Sequence, residues 1–391
     1  DGSARATLPV LRRVAAHAGW TERPSPYGAP IFVTPSEGVV SYEPGGQIEY
    51  SAAAATAVGP LVADLRAVVE TLSTAAANDG IDFLTVGIDP RNGIDDVPLQ
   101  LHGPQYTAMD RYFGTLGPAG QRMMRQTAAC QVTLDAGDDP LARWHLLSAV
   151  APYITALFAN SPRYAGAQTG MVSARADTWA TLDPLRTGLP GATAADPAAA
   201  YARFALRAPW IFRPATDGTY RSFAAVLARG DAQETDWDAH LTTLFPEIRP
   251  RRIAGVPTFE VRSADAMPVA ACAALCVVLI GLTRDREAGA EAMALAEPAS
   301  PTLLARAGRL GLRDPEIRRV APALYRLALA GAARLGNAIV AGEVLERAQE
   351  FGRRYALAER SPADDDLPDP MGPGTRAPVA RPDARHVPLP G

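Results

Sequence analysis

The sequence contains no lysine; all 38 of its Lys and Arg positions are arginine. No side chain can form a Schiff base through a lysine or serve as a P-loop cation, and G-x-x-x-x-G-K is missing. Any clamp on a phosphate or carboxylate must be built from guanidinium groups. Three cysteines in 391 residues are too few for a disulfide scaffold. Cys272-x-x-x-Cys276 lies in an apolar run without a nearby histidine, which argues against zinc and for a reduced, cytoplasmic protein. His17, His102, His145 and His386 lack metal-ligand spacing. With a net charge of −4 and a pI near 5.8, no overall basic field draws in nucleic acid or an acidic membrane. Hydrophobic runs are short. The most apolar, 266–282, is broken by Pro268 and Gly281 and falls below the ~20 residues of a membrane span. It reads as a buried core helix with Pro268 in its first turn. No secretory leader pattern follows Asp1.

The 48% hydrophobic and 20% charged residues fit a globular chain. Helical spacing of Leu8, Leu11, Val14 and Ala15 predicts a helix over 8–18, and a second over 60–77. Strands are expected at 31–33, 39–42, 47–51, 83–88, 130–134 and 258–264. A helix over 141–160 carries Pro152, and 268–358 reads as helix throughout. Residues 361–391 are rich in Pro, Asp and Gly; they cannot bury enough surface to offset ordering entropy and read as a disordered tail. One domain over 1–360 is expected. Because strands do not alternate with crossover helices, the fold class is α+β with a mainly antiparallel sheet and a helical C-terminal part.

Chemistry is written on the polar faces of these strands. Cys130, Val132 and Leu134 alternate with Gln131, Thr133 and Asp135, and Phe259 and Val261 alternate with Glu260 and Arg262. Gln47 and Glu49 share a face, with Glu43 in the same parity. Each face is either simply wet or one wall of a shared cleft. Carboxylates gathered ~4 Å apart repel by roughly 4 kcal/mol per pair at an effective dielectric near 20. Such a cluster needs protons, arginines or cations. Glu43, Glu49 and Glu260 with Gln131 suit Mg²⁺, a hard cation that prefers oxygen.

The segment Glu43-Pro44-Gly45-Gly46-Gln47-Ile48-Glu49-Tyr50-Ser51 resembles the EPGGQ-x-E-x-S block of the plant and bacterial glutamate–cysteine ligase family, which includes actinobacterial ergothioneine-pathway enzymes. Further blocks follow in the family's order. They are Met123-Met124 through Thr127 to Gln131-Val132-Thr133-Leu134-Asp135, then Ala156-Leu157-Phe158-Ala159-Asn160-Ser161-Pro162. Ser173-Ala174-Arg175 with Trp179, Asp183 and Arg186-Thr187-Gly188 comes next, then His240-Leu241-Thr242-Thr243-Leu244-Phe245-Pro246-Glu247, and Glu260-Val261-Arg262 with Asp265. The likeness spans about 8–268 and weakens in the helical end.

The resemblance implies a glutamine-synthetase-like antiparallel sheet curved around the active site, with helices outside. It implies ATP and Mg²⁺, phosphorylation of the glutamate γ-carboxylate, and attack by the cysteine amine. By position, Glu43, Glu49, Gln131 and Glu260 match the metal face. Arg262 and Arg175 are expected to hold the substrate carboxylate or the transferring phosphoryl group. Thr133 and Asn160 are expected around nucleotide or substrate. His240 is placed near the nucleotide or in the core, Arg186 in the site or in an ion pair, and Trp179 in the core. Family members begin with a strand bearing E-x-E, upstream of the position matching Asp1, so the sequence reads as a fragment or as a homologue without that strand. Thr133 replaces a usual Asn, Asp177 a plant His, and Asp89-Pro90-Arg91-Asn92 a segment ending in Lys-Trp; 254–257 reads as a short insertion. These departures leave three expectations open: the cysteine ligase, a carboxylate–amine ligase with another amine acceptor, and an inactive nucleotide- or amino-acid-binding homologue.

Overall fold

The computed structural model describes residues 4–25, 28–233 and 235–365. Helix α1 (Ala4–Ala18) leads into strands β1 (Thr21–Arg23), β2 (Ile31–Val33), β3 (Val39–Tyr42) and β4 (Ile48–Ser51), followed by α2 (Val58–Ala77). The four strands form one antiparallel sheet in chain order. The apolar stripe read from the sequence does its work here: Val10, Leu11 and Val14 of α1 and Val68 and Leu72 of α2 close over Phe32, Val40 and Tyr42.

Helices α3 (Pro104–Gly114) and α4 (Pro118–Gln126) lead to β5 (Ala129–Asp135) and α5 (Pro140–Leu157). The middle holds two short strand pairs, antiparallel β6–β7 (Arg163–Tyr164, Ala167–Gln168) and parallel β8–β9 (Thr187–Gly188, Phe245–Pro246), with helices α6 (Ala174–Ala180), α7 (Pro197–Arg207), α8 (Phe223–Ala228) and α9 (Asp236–Leu241). Strands β10 (Ile248–Ile253) and β11 (Val256–Asp265) complete a second antiparallel sheet ordered β10-β11-β5. The architecture is α+β with antiparallel sheets. Among the described residues the strands divide into two principal sheets rather than one.

Two local expectations change. Residues 83–88 are not a strand; Ile88 alone bridges Thr127. The chain is held there by single bonds, Gly87 N to Asn160 O and Ala128 N to Gly87 O, and a Cβ on Gly87 would lie 2.4 Å from the Asp265 carboxyl carbon. The apparent insertion is the two-residue turn of the β10–β11 hairpin. Ala254 (φ 48°) and Gly255 (φ 83°) both take the left-handed conformation of a type I′ turn.

The end of the chain is helical as read: α10 (Val269–Arg284), α11 (Arg286–Leu295), α12 (Pro301–Leu310), α13 (Pro315–Leu335) and α14 (Gly342–Arg354). Helix α10 is buried along nearly its whole length, and no helix among the described residues is long and apolar enough to cross a membrane. It meets α13 backbone to backbone. A Cβ on Gly281 would stand 2.1 Å from Ala328 O, so nothing larger than glycine fits. Gly281→Ala is expected to push the helices apart and lower stability by about 1–3 kcal/mol, read as a lower denaturant midpoint; an unchanged midpoint would show that this crossing does not set stability. Of the tail, residues 361–365 form a capped 3₁₀ turn with Ala363 N bonded to Ala159 O. The rest of the expected disordered segment, from 366, lies outside the described residues.

Candidate active site

Strand register decides which side chains meet. Glu260 stands opposite Thr133 of β5 and Arg249 of β10, so these three share a face, with Gln131, Arg251 and Arg262 at alternating positions. The other face carries Val132, Leu134, Ile248, Phe259 and Val261 into the core, where Trp144 of α5 meets Phe259 edge to face at 5.4 Å. The alternation read from the sequence therefore sets one polar wall of a three-stranded sheet.

At its centre Glu260 is 2% exposed and bound by three guanidiniums. Arg249 Nη2 lies 2.8 Å from Oε1, Arg251 Nη1 lies 2.6 Å from Oε2, and Arg262 Nη1 donates to Oε1. Burial opposes ionisation of this carboxyl, but Arg262 and Arg249, helped by Arg251, outweigh it and hold its pKa at about 2. Three cations to one anion leave surplus positive charge on the wall. Arg249 feels it: burial, then repulsion by Arg262, lowers its pKa. Arg251 remains 47% exposed, and the Arg262 guanidinium sits 5.4 Å from the Trp179 ring centroid. The geometry of a guanidinium fork matches a carboxylate or phosphate.

Glu43 and Glu49 lie on the β3–β4 hairpin of the first sheet. The β3–β4 connection is closed by Glu43 N to Gln47 O and Gly46 N to Glu43 O. It is also docked: Gln47 Nε2 donates to Thr127 O at 3.0 Å, and Gln100 Nε2 donates to Gly45 O at 2.8 Å. Gly45 is required there because a Cβ would lie 1.9 Å from Arg125 O. Desolvation, then repulsion by Glu49, raises Glu43 to a pKa of about 8, with Arg262 and Arg249 pulling the other way. The field that Glu43 feels thus joins the hairpin's acidic pair to the arginine cluster that surrounds Glu260.

The donor set fits Mg²⁺ in part. Glu43 and Glu49 offer carboxylate oxygens whose mutual repulsion a cation would relieve, and Gln131 and Thr133 expose neutral oxygens on the polar face of β5. Glu260 fits less well, since guanidiniums take both of its oxygens. Among the described residues no group of three or more His, Cys, Asp and Glu is spaced to hold a metal ion. A Mg²⁺ here would rest on one carboxylate pair and on substrate phosphates, a usual arrangement for this ion.

The remaining expected residues are placed elsewhere. Arg175 is 4% exposed; it donates to Arg262 O at 2.7 Å and lies 3.6 Å from Asp265, so it braces the strand behind Arg262. Asp265, 1% exposed, also accepts from Asn160 N, Ser161 Oγ and Ser173 Oγ at 2.7–2.9 Å. The Asn160 amide donates to Thr85 O and Ala266 O, both at 2.9 Å, and serves as a cross-link. Arg186 is wholly enclosed, held by Asp183, Thr243 and Pro209 O beneath Tyr112, the ion-pair setting that was one of its two expected places. His240 is equally enclosed, stacked on Phe223 at 4.3 Å with Nε2 2.7 Å from Ala205 O. Burial lowers its pKa to about 4, which favours the neutral imidazole in this packed setting, the core place that was one of its two expectations. Trp179 packs on Phe245. Arg249 and Arg251 went unread because Pro250 between them disguised an edge strand, where proline is tolerated. The parity Ile248, Arg249, Pro250, Arg251 was the available signal.

A sequence profile of glutamate–cysteine ligase family 2 matches residues 10–352. The chain belongs to this family. It is 36% identical over 343 residues to glutamate–cysteine ligase EgtA of Mycolicibacterium smegmatis, covering 83% of this chain and 76% of the relative. It is 34% identical over 301 residues to the EgtA of Mycobacterium tuberculosis, covering 72% and 67%. The chloroplastic glutamate–cysteine ligase of Arabidopsis thaliana is 33% identical over 261 residues, covering 63% of this chain and 49% of the plant protein. The match thus takes in about half of the plant relative's length. A structure of the Pup ligase PafA in complex with ADP overlaps 90% of this chain and 63% of its own, at 11% identity and a TM-score of 0.39. The span matched to glutamate–cysteine ligase family 2 contains every residue of the polar wall and of the Glu43–Glu49 hairpin.

Proposed function

We propose that the chain joins the γ-carboxylate of glutamate to the amine of cysteine, using ATP and Mg²⁺ and passing through γ-glutamyl phosphate. What supports this reading is the arginine cluster held around Glu260, whose Arg262 and Arg249 also act electrostatically on Glu43 of the acidic hairpin. A carboxylate is a poor electrophile until one oxygen becomes part of a leaving group, and phosphorylation supplies that group. Bound Mg²⁺ would neutralise phosphate charge and align the transfer. Arg262 and Arg251 hold anionic oxygens of glutamate or the transferring group. Glu260 fixes their forks in advance, so little rotamer freedom is lost on binding. Glu43 and Glu49 supply the cation-binding edge, with Gln131 and Thr133 beside them. Arg175 and Asn160 position the strand ends from behind.

ADP release with glutamate, ATP and Mg²⁺ tests the reading when cysteine is compared with other amino acids. Cysteine should give the highest rate. Another amine in first place transfers the same chemistry to a different acceptor, and binding of ATP without turnover favours the inactive homologue.

A second outcome concerns pH. Glu43 holds its proton up to about 8 in the folded protein, against an ordinary value near 4.5. Its contribution to stability is therefore full below 4.5 and is lost as pH rises through 8. A cation that binds the ionised pair must displace that proton. Mg²⁺ affinity, measured calorimetrically, should rise from pH 6 to pH 8 with proton release, and Glu43→Gln should flatten this dependence. A pH-independent affinity in the parent protein would remove Glu43 from the cation site.

A further inference from the structure

A cavity of 790 Å³ lies apart from the polar wall, between the 83–91 segment, the start of α10, and α14. No side chain of the wall or of the acidic hairpin lines it. Asn160 alone among the expected site residues borders it, with its amide turned to Thr85 O and Ala266 O. The volume falls within the ~300–1,000 Å³ of small-molecule sites.

The lining is of two kinds. Phe351 and Tyr355, ring centroids 5.0 Å apart, form an apolar surface with Phe83 and Pro268. Around them stand Arg91, Arg163, Arg347 and Arg354. Arg354 is matched by Asp365 at 2.6 Å. Arg91, Arg163 and Arg347 make no ion pair among the described residues, and Arg163 Nε is buried without a hydrogen-bond partner. The acidic groups on the lining have partners: Glu350 pairs with Arg353, and Asp365 with Arg354 and Tyr355 of the lining and with Arg360. Three arginines without an ion pair among the described residues, from three separate segments, line one volume in a protein of net charge −4. One carboxylate satisfies one guanidinium fork, whereas a phosphate group, with more anionic oxygens, can bridge several. The Tyr355 ring is already faced by the Arg354 guanidinium at 5.0 Å and Phe351 is stacked on Phe158, so the apolar contact for a flat ring comes from Phe83, the exposed Leu84 and Pro268, with the neighbouring cations favouring such a ring.

We infer that this cavity is a second ligand site, for an organic phosphate bearing a flat ring, the chemical class of a nucleotide. It is separate from the wall where turnover is proposed. Calorimetric titration of the full chain with ADP and Mg²⁺ should show two binding classes. Arg91 and Arg347 are exposed and unpaired, so the double variant Arg91→Glu, Arg347→Glu should melt like the parent. It should weaken one class by at least about tenfold and keep the turnover rate at saturating ATP. Arg262→Lys should do the reverse, impairing turnover and sparing that class. Inorganic pyrophosphate, which lacks the ring, should bind the cavity more weakly than ADP. A single ADP class in the parent would overturn the inference. So would a double variant whose turnover falls with a raised KM for ATP, since the cavity would then be the nucleotide site of the reaction itself.

Discussion

Glu260→Gln is expected to lower kcat by about two to three orders of magnitude, the range seen when a preorganised charged or hydrogen-bonding group is removed. The amide cannot balance Arg249, Arg251 and Arg262, which would repel one another and leave their forks unaligned. The same change is expected to lower stability. A carboxyl held at about 2 instead of 4.5 corresponds to about 3 kcal/mol, in line with the ~3–5 kcal/mol lost when one partner of a buried ion pair is removed. Because the folded value is depressed, this contribution is present above pH 4.5 and disappears as pH falls toward 2. The variant should lack that part of the acid-unfolding curve. Initial rates of ADP release and denaturant midpoints at two pH values check both parts. A near-normal rate would remove the cluster from the reaction.

Asp265→Ala should be comparably damaging to the fold. It removes the counter-charge of Arg175 and the acceptor of Ser161 Oγ, Ser173 Oγ and the Asn160 backbone N–H at once, all within a region closed to water. The expected loss is about 3–5 kcal/mol, read as a fall in the denaturant midpoint. Arg175 also supports Arg262 O, so Asp265→Asn, which preserves volume and some hydrogen bonds, should fold better yet raise the KM for glutamate through a displaced Arg262. Parent-like stability in Asp265→Ala would mean that the network is not a fixed brace.

The sequence made the polar wall legible because its signals are local. Alternation in 130–135 and 259–262 is a property of a strand by itself, and the Glu43–Ser51 block carries its own turn. What escaped depends on partners distant in the chain. His240 looks exposed to chemistry until Phe223 stacks on it and Ala205 O accepts its bond. Arg186 resembles a phosphate ligand until Tyr112, Asp183 and Thr243 surround it. Residues 83–88 have the composition of a strand, but their hydrogen bonds go singly to 128 and 160 instead of along a ladder. Arg249 and Arg251 were hidden by a proline that an edge strand tolerates.

The most direct measurement follows oxygen. Glutamate labelled with ¹⁸O in its γ-carboxylate, turned over with ATP, Mg²⁺ and cysteine, should deliver one labelled oxygen to inorganic phosphate, at a rate that collapses in Arg262→Lys. Phosphate released without label, or a labelled product formed equally fast by the Arg262→Lys protein, would contradict carboxylate activation on this wall.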